Sequence, residues 1–142
     1  MPAIDAERNL AMYRALTEAM SEGLVASAHD CSDGGLAVAL AECCFGSGSG
    51  ATINITELGS SDPELNSFGA LFSESLGRIL ISVRPEDSEA FSARMEGHTC
   101  HRLGLVQKGD DLSVTSTGSQ ILSASVSVLK HSWQGSLGGG AQ

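Results

Sequence analysis

Two short stretches hold most of the side chains with chemical potential. The first is Asp30-Cys31-Ser32-Asp33-Gly34-Gly35. Carboxylates at the end of a strand, followed by a glycine pair that opens a helix, suit two kinds of work. Ser32, Asp33, Gly34 and Gly35 form a loop whose backbone N–H groups can approach a phosphate at the positive helix end. The carboxylates, Asp30 foremost, could hold a magnesium ion, which takes oxygen ligands and keeps several waters. The same residues equally suit a structural purpose, with Ser32 or Asp33 capping the helix and the glycines making a tight turn. Spacing alone leaves both readings open. A P-loop is excluded, because its lysine and wider glycine spacing are missing. The second stretch, Ser73-Glu74-Ser75, sets hydroxyls beside a carboxylate. No Gly-x-Ser-x-Gly elbow supports a nucleophile there, and no residue of the chain is assigned a catalytic role.

The elements that must position these stretches are legible in outline. A helix starts after Asp5, which can cap it; Leu10, Tyr13, Leu16 and Met20 share one face, and Gly23 can end it. Leu24 to Asp30 reads as a short buried strand, and Leu36 to about Phe45 as a second helix ending in the flexible run 46–50. Ala51 to Ile55 alternates as a strand, with Ile53 and Ile55 on one face. A loop with Asp62-Pro63 follows and carries Leu71 to Ser75. Arg78 to Val83 is an apolar strand. Pro85, with Glu86, Asp87 and Glu89, starts a third helix whose apolar face is Ala90, Phe91 and Met95. His101 to Val106 and Leu112 to Thr117 read as strands, bounded by turns at Gly109-Asp110 and Gly118-Ser119. From Ser123 both strand and helix patterns fit, and the helix, with Val126, Leu129 and Trp133 aligned, is favoured. The interleaving predicts an α/β (α+β) fold, a mixed β-sheet flanked by helices. A single domain is expected over 1–134, with a flexible glycine-rich tail over 135–142.

Composition narrows the function classes. The 142 residues suit one domain of ordinary globular composition, 42% apolar and 18% charged. A net charge of −9 with eight scattered Lys and Arg argues against nucleic acid, which demands a basic cluster. No run approaches the roughly 18 apolar residues of a membrane helix, so no membrane is expected as a partner. No signal peptide is visible, and the cytoplasm is the expected location. Cys31, Cys43, Cys44 and Cys100 form no CxxC pair and no zinc-like spacing with His29, His98, His101 or His131. Reduced thiols are expected. A solvated edge explains His98 and His101 better than a metal, and Trp133 reads as a packing anchor.

The run Ala28-His29-Asp30-x-Ser32-Asp33-Gly34-Gly35-Leu36, with Ala39, Ala41 and Glu42 after it, resembles the opening of one particular C-terminal domain. That domain belongs to the phosphoribosylformylglycinamidine synthase (formylglycinamide ribonucleotide amidotransferase) family. Leu71-Phe72-Ser73-Glu74-Ser75 with Gly77-Arg78 is a second match, Pro2-x-x-Asp5 a weaker one, and Arg102-x-Gly104 and Trp133 also fit. The family belongs to a superfamily with aminoimidazole ribonucleotide synthetase, selenophosphate synthetase and a hydrogenase maturation factor. Its relatives there carry other residues around the glycine pair.

The resemblance implies the C-terminal domain of an ATP-dependent ligase of de novo purine biosynthesis. In that family ATP phosphorylates the amide oxygen of formylglycinamide ribonucleotide, and ammonia from glutamine displaces the phosphate to give the amidine. It implies ATP and Mg2+ as cofactors of the full-length enzyme. It also implies, as partners, the upstream domains of the same enzyme, a glutaminase subunit and a small bridging subunit. The family's catalytic histidine and main nucleotide contacts lie upstream, so the 142 residues alone are expected to be inactive. In the catalytic half of the family the aspartate matching Asp30 helps bind magnesium, and a Glu-Ser-Gln triplet contacts the ribonucleotide. Here the triplet reads Glu74-Ser75-Leu76, and leucine cannot make a glutamine's hydrogen bonds. The departure fits the second, non-catalytic half, with Ser73, Glu74 and Ser75 as a degenerate substrate loop and Glu74 ordering its own loop. The alternative is a stand-alone binding or scaffold module of the same fold.

Overall fold

The structure is a computed structural model that describes residues 5–60 and 66–137. Pro2, Asp62, Pro63 and the last five residues of the expected tail lie outside them. The first helix, α1 (Ala6–Ser21), begins where Asp5 caps it, the carboxylate accepting from the Arg8 N–H at 3.0 Å. Gly23 adopts a left-handed φ of 77° just past its end. Strand β1 (Ser27–Asp30) pairs antiparallel with β3 (Ile79–Ser82) in a two-stranded ribbon. Between them come α2 (Gly35–Ser47), β2 (Gly50–Asn54), α3 (Thr56–Ser60) and α4 (Ser67–Phe72). A 3-10 turn at Pro85–Asp87 leads into α5 (Ser88–Arg94). The chain then runs through β4 (Gly104–Gln107), β5 (Asp111–Ser116) and β6 (Ser119–Ser125) into α6 (Val126–Leu137).

Strands β4-β2-β5-β6 form a four-stranded mixed sheet, parallel between β2 and β5 and antiparallel elsewhere. Ala51, Ile53 and Ile55, with Leu112 and Val114, turn one face of this sheet onto α2 in the main core. Helices α4 and α6 pack beside α2. A second, smaller core joins Ala15, Leu16 and Ala19 of α1 to Phe91 and Met95 around α5. Strand β3 separates the two. Alternation along the strand sends Leu80 to the main core and Ile79 and Ile81 to the smaller one.

The expected mixed α/β architecture is present, with corrections in detail. The first strand is Ser27–Asp30 alone and largely exposed, as the strand of the ribbon that pairs on one edge only. Leu24 and Val25 precede it and pack on the smaller core instead. Gly50 is no loop residue: it starts β2 beside the Asp111 backbone, where a Cβ would lie 2.2 Å from a carbonyl oxygen. Helices α3 and α4 occupy part of the expected loop, and β6 adds a strand to the sheet. Ala90 is exposed, while Phe91 and Met95 are buried. Of the segment from Ser123, where a helix is the favoured reading, Ser123–Ser125 instead end β6, and the helix runs from Val126 to Leu137. Trp133 packs against Phe45, ring centroids 5.9 Å apart.

Candidate functional site

The corner from Asp30 to Gly35 connects the ribbon to the main core. Cys31 is buried at its centre, its N–H donating to the Arg78 carbonyl at 3.0 Å. Burial pushes the Cys31 thiol up, partly offset by the Arg78 guanidinium. Gly34 and Gly35 have φ of 77° and 64°, a left-handed pair that L side chains resist. Gly35 also lies against the end of α4, where a Cβ would meet the Leu71 and Ser73 carbonyl oxygens at 2.8 and 2.7 Å. The N-terminus of α2 therefore touches the C-terminus of α4 through bare backbone.

Neither Ser32 nor Asp33 caps α2 with its side chain. Gly34 occupies the cap position, without a side chain to accept, and its own N–H donates to the Glu74 carboxylate at 3.0 Å. The Ser32 carbonyl accepts from the Gly35 N–H at 2.9 Å, closing the turn. Glu74 thus ties its loop to the glycine corner, rather than ordering that loop alone, and puts negative charge at the positive end of α2. Arg78 fixes the other side of the loop. Its guanidinium donates to the Ser73 carbonyl and hydroxyl, both at 3.0 Å, and to the Ala70 carbonyl at 2.8 Å. Those carbonyls end α4, so Arg78 satisfies acceptors that the helix leaves open.

Between corner and loop lies a cleft of about 300 Å³ lined by Tyr13, Asp30, Ser32, Glu74, Ser75 and Arg78, among others. Asp33, Gly34, Gly35 and Ser73 do not line it. The Asp30 carboxylate is 75% exposed. Beside it His29 reaches away from the cleft, its Nε2 at 3.1 Å from a Glu42 carboxylate oxygen on α2. Leu76 on the rim is 71% exposed and continues into a second hollow lined by Ala6, Asn9, Leu10, Tyr13 and Gly77. One end of the site carries the charged groups Asp30, Glu74 and Arg78, and the other carries none. Among the described residues, no three His, Cys, Asp or Glu side chains gather closely enough to hold a metal ion. A cation at Asp30 would therefore draw its remaining oxygens from ligand and water, as magnesium commonly does.

Sequence reasoning singled out both stretches but assigned no part to Tyr13 or Arg78. Arg78 had a local signal, an arginine directly after a glycine at the head of an apolar strand. Tyr13 had none, since its face of α1 reads as core. Away from the cleft, His101 sits 3.6 Å from Glu57. No helix is long and apolar enough to cross a membrane among the described residues.

Residues 2–117 match the family described as "AIR synthase related protein, C-terminal domain". Over 122 residues the chain is 39% identical to the phosphoribosylformylglycinamidine synthase subunit PurL of Lactobacillus helveticus, covering 86% of this chain and 15% of that protein. The fold is similar to that of PurLQS from Thermotoga maritima, with a TM-score of 0.80 at 21% identity over 91% of this chain and 22% of the other. It is also similar to the hydrogenase maturation protein HypE in complex with ATP, with a TM-score of 0.62 at 19% identity over 80% and 40% of the two chains. This chain spans only a small part of the length of these relatives. It belongs to the AIR synthase related C-terminal domain family, in the form that phosphoribosylformylglycinamidine synthases carry.

Proposed function

We propose that this chain serves as the C-terminal domain of an ATP-dependent carbon–nitrogen ligase. That ligase converts formylglycinamide ribonucleotide to formylglycinamidine ribonucleotide with glutamine-derived ammonia, in de novo purine biosynthesis in the cytoplasm. The observation that supports this reading best is the meeting of both motifs at one cleft, in a chain 39% identical to a PurL subunit. Solved PurL structures from Thermotoga maritima include complexes with FGAR, ATP, ADP and AMPPCP. ATP and Mg2+ are then cofactors of the full-length enzyme, and its upstream domains, a glutaminase subunit and a bridging subunit are the partners.

The chemistry needs activation, because an amide oxygen is a poor leaving group and phosphate a good one. ATP supplies the phosphoryl group when bound. This chain's contribution is binding and orientation. Asp30 offers an exposed carboxylate for a nucleotide-bound magnesium, and Ser32 and Ser75 offer hydroxyls to a phosphate or ribose. Glu74 is held by Gly34 and so keeps the loop shaped. Leu76 removes the amide contacts of the family triplet and makes this a non-catalytic wall.

The purified chain, given ATP, magnesium, formylglycinamide ribonucleotide and ammonia, is expected to form no amidine; ATP-dependent amidine formation would overturn the reading. Magnesium-ADP titrated by calorimetry against wild type and Asp30→Asn tests the ligand role. Weaker binding by Asp30→Asn supports it, and equal binding dismisses Asp30.

A further inference from the structure

Strand β4 ends the four-stranded sheet, and among the described residues no strand lies beyond it. The orientation of its ladder is set by the Asn54 N–H, which donates to the Leu103 carbonyl at 2.7 Å, two residues from the Thr52–Leu105 pair. Backbone groups alternate along an antiparallel pair, so Leu103, Leu105 and Gln107 face β2, while Gly104 and Val106 point theirs outward. All four residues of β4 are exposed, with Leu105 at 62% and Val106 at 65% on opposite faces. Natural edges are usually short, charged or covered. At four residues between basic flanks, β4 is itself short and charged at its ends, yet it keeps apolar side chains on both faces, beside backbone donors and acceptors that no described residue pairs.

Charge selects what can cover it. Arg102 and Lys108 flank the strand, both exposed, in a chain with only eight basic residues against seventeen acidic ones. The acidic neighbours are engaged elsewhere: Glu57 faces His101, Asp110 accepts from Ser125 and Ser127, and Asp111 lies on β5, beyond β2. A second copy is disfavoured. In the self-pairing register that matches most of the strand, centred on Leu105, Arg102 of each copy would meet Lys108 of the other, and like charges directly opposite are destabilising. We propose that the β4 edge docks an extended polypeptide segment with carboxylates at its ends and apolar residues between. The segment adds as a fifth strand, with backbone bonds supplying affinity and the end charges supplying register. This inference goes beyond the purine reading and stands apart from the cleft.

The test uses the isotopically labelled 142-residue chain and a capped synthetic peptide, Glu-Val-Thr-Val-Thr-Val-Glu. Saturable shifts of the Gly104 and Val106 amides, with slowed hydrogen exchange at both, are expected. Val106→Pro removes an outward N–H that β2 does not use, a place where an edge strand tolerates proline, and it should lose the binding. Reversing both charges, Arg102→Glu with Lys108→Glu, should weaken binding about tenfold, as two exposed ion pairs are lost; this keeps the test informative if the proline variant misfolds. Any of four results overturns the proposal: no shift at millimolar peptide, unchanged binding in Val106→Pro, equal binding of a peptide ending in lysines, or a β4-dependent dimer in sedimentation.

Discussion

The two cores differ in size and in what they hold. Among the described residues the main core buries fourteen side chains between α2 and the four-stranded sheet, and the smaller one buries five between α1 and α5. The larger is built from Ala, Cys, Leu, Ile and Val, packed closely enough that α2 meets α4 backbone to backbone at Gly35. The smaller relies on Phe91 and Met95, with half-buried Met12, Leu24 and Val25 around them. The cleft lies where the two meet. Asp30 comes from the ribbon, Tyr13 from the exposed side of α1, whose buried side forms the smaller core, and Ser75 from the loop that Glu74 and Arg78 fasten to the larger one. A site at such a seam depends on a rigid half to hold its shape, while the other half can loosen at lower cost.

Gly35→Ala strikes the junction and carries the largest expected effect. The new Cβ would face backbone oxygens, which cannot rotate away, at a φ that alanine resists. Left-handed strain and overpacking together cost about 2–5 kcal/mol. Denaturant unfolding should show a marked fall in midpoint, with the amides of α2 and α4 losing exchange protection together. A variant as stable as wild type would mean that the two helices are not in backbone contact.

The next pair of variants sets the cores against each other. Leu112→Ala removes a side chain that is 1% exposed, from the centre of the larger sheet, and such truncations cost about 2–5 kcal/mol. Met95→Ala opens the smaller core, where flexible and partly exposed neighbours can close over the gap, and about 2 kcal/mol is expected. Native-state hydrogen exchange separates the two. Leu112→Ala should lower protection throughout, whereas Met95→Ala should lower it in α1 and α5 and leave β5 unchanged. Uniform loss in both variants would show a single cooperative core instead.

What the sequence discloses divides differently, between local signals and long-range contacts. The cap at Asp5, the alternation of Ile53 and Ile55 and the start at Pro85 are local signals, and each sits where expected. Strand β6 is not legible, because Ser119–Ser125 has only Ile121 and Leu122 as large apolar residues, adjacent rather than alternating, on an edge. Helix α4 has six residues, too few for a helical period to emerge. The site divides likewise. Both motifs stand out by residue type, but the Gly34–Glu74 bond joins positions forty residues apart, which no local pattern encodes. Tyr13 enters the cleft only because α1 packs beside the loop.

The smallest expected effect concerns α6, which the larger core holds through Val126 and Leu129. Asp110, in the turn before β5, caps this helix from the end of the strand next to β6. Its carboxylate accepts from the Ser125 hydroxyl, and from the Ser127 hydroxyl and N–H at 2.8 Å each. The Ser125 bond first, and the Ser127 bonds with it, hold the carboxyl below its ordinary value. A depressed folded-state value means that the unfolded chain takes up the proton first. The stabilisation is then complete above the unfolded aspartate range and disappears as pH falls through the folded one. Asn at this position keeps one acceptor oxygen but no titrating charge. Thermal melts of wild type and Asp110→Asn should therefore differ slightly at neutral pH, wild type the higher, and converge on acidification. A gap that stays constant from pH 7 down to strong acid would show that the carboxylate charge is not what holds α6. The absence of a gap at every pH would show that Val126 and Leu129 anchor the helix without help at the rim of the larger core.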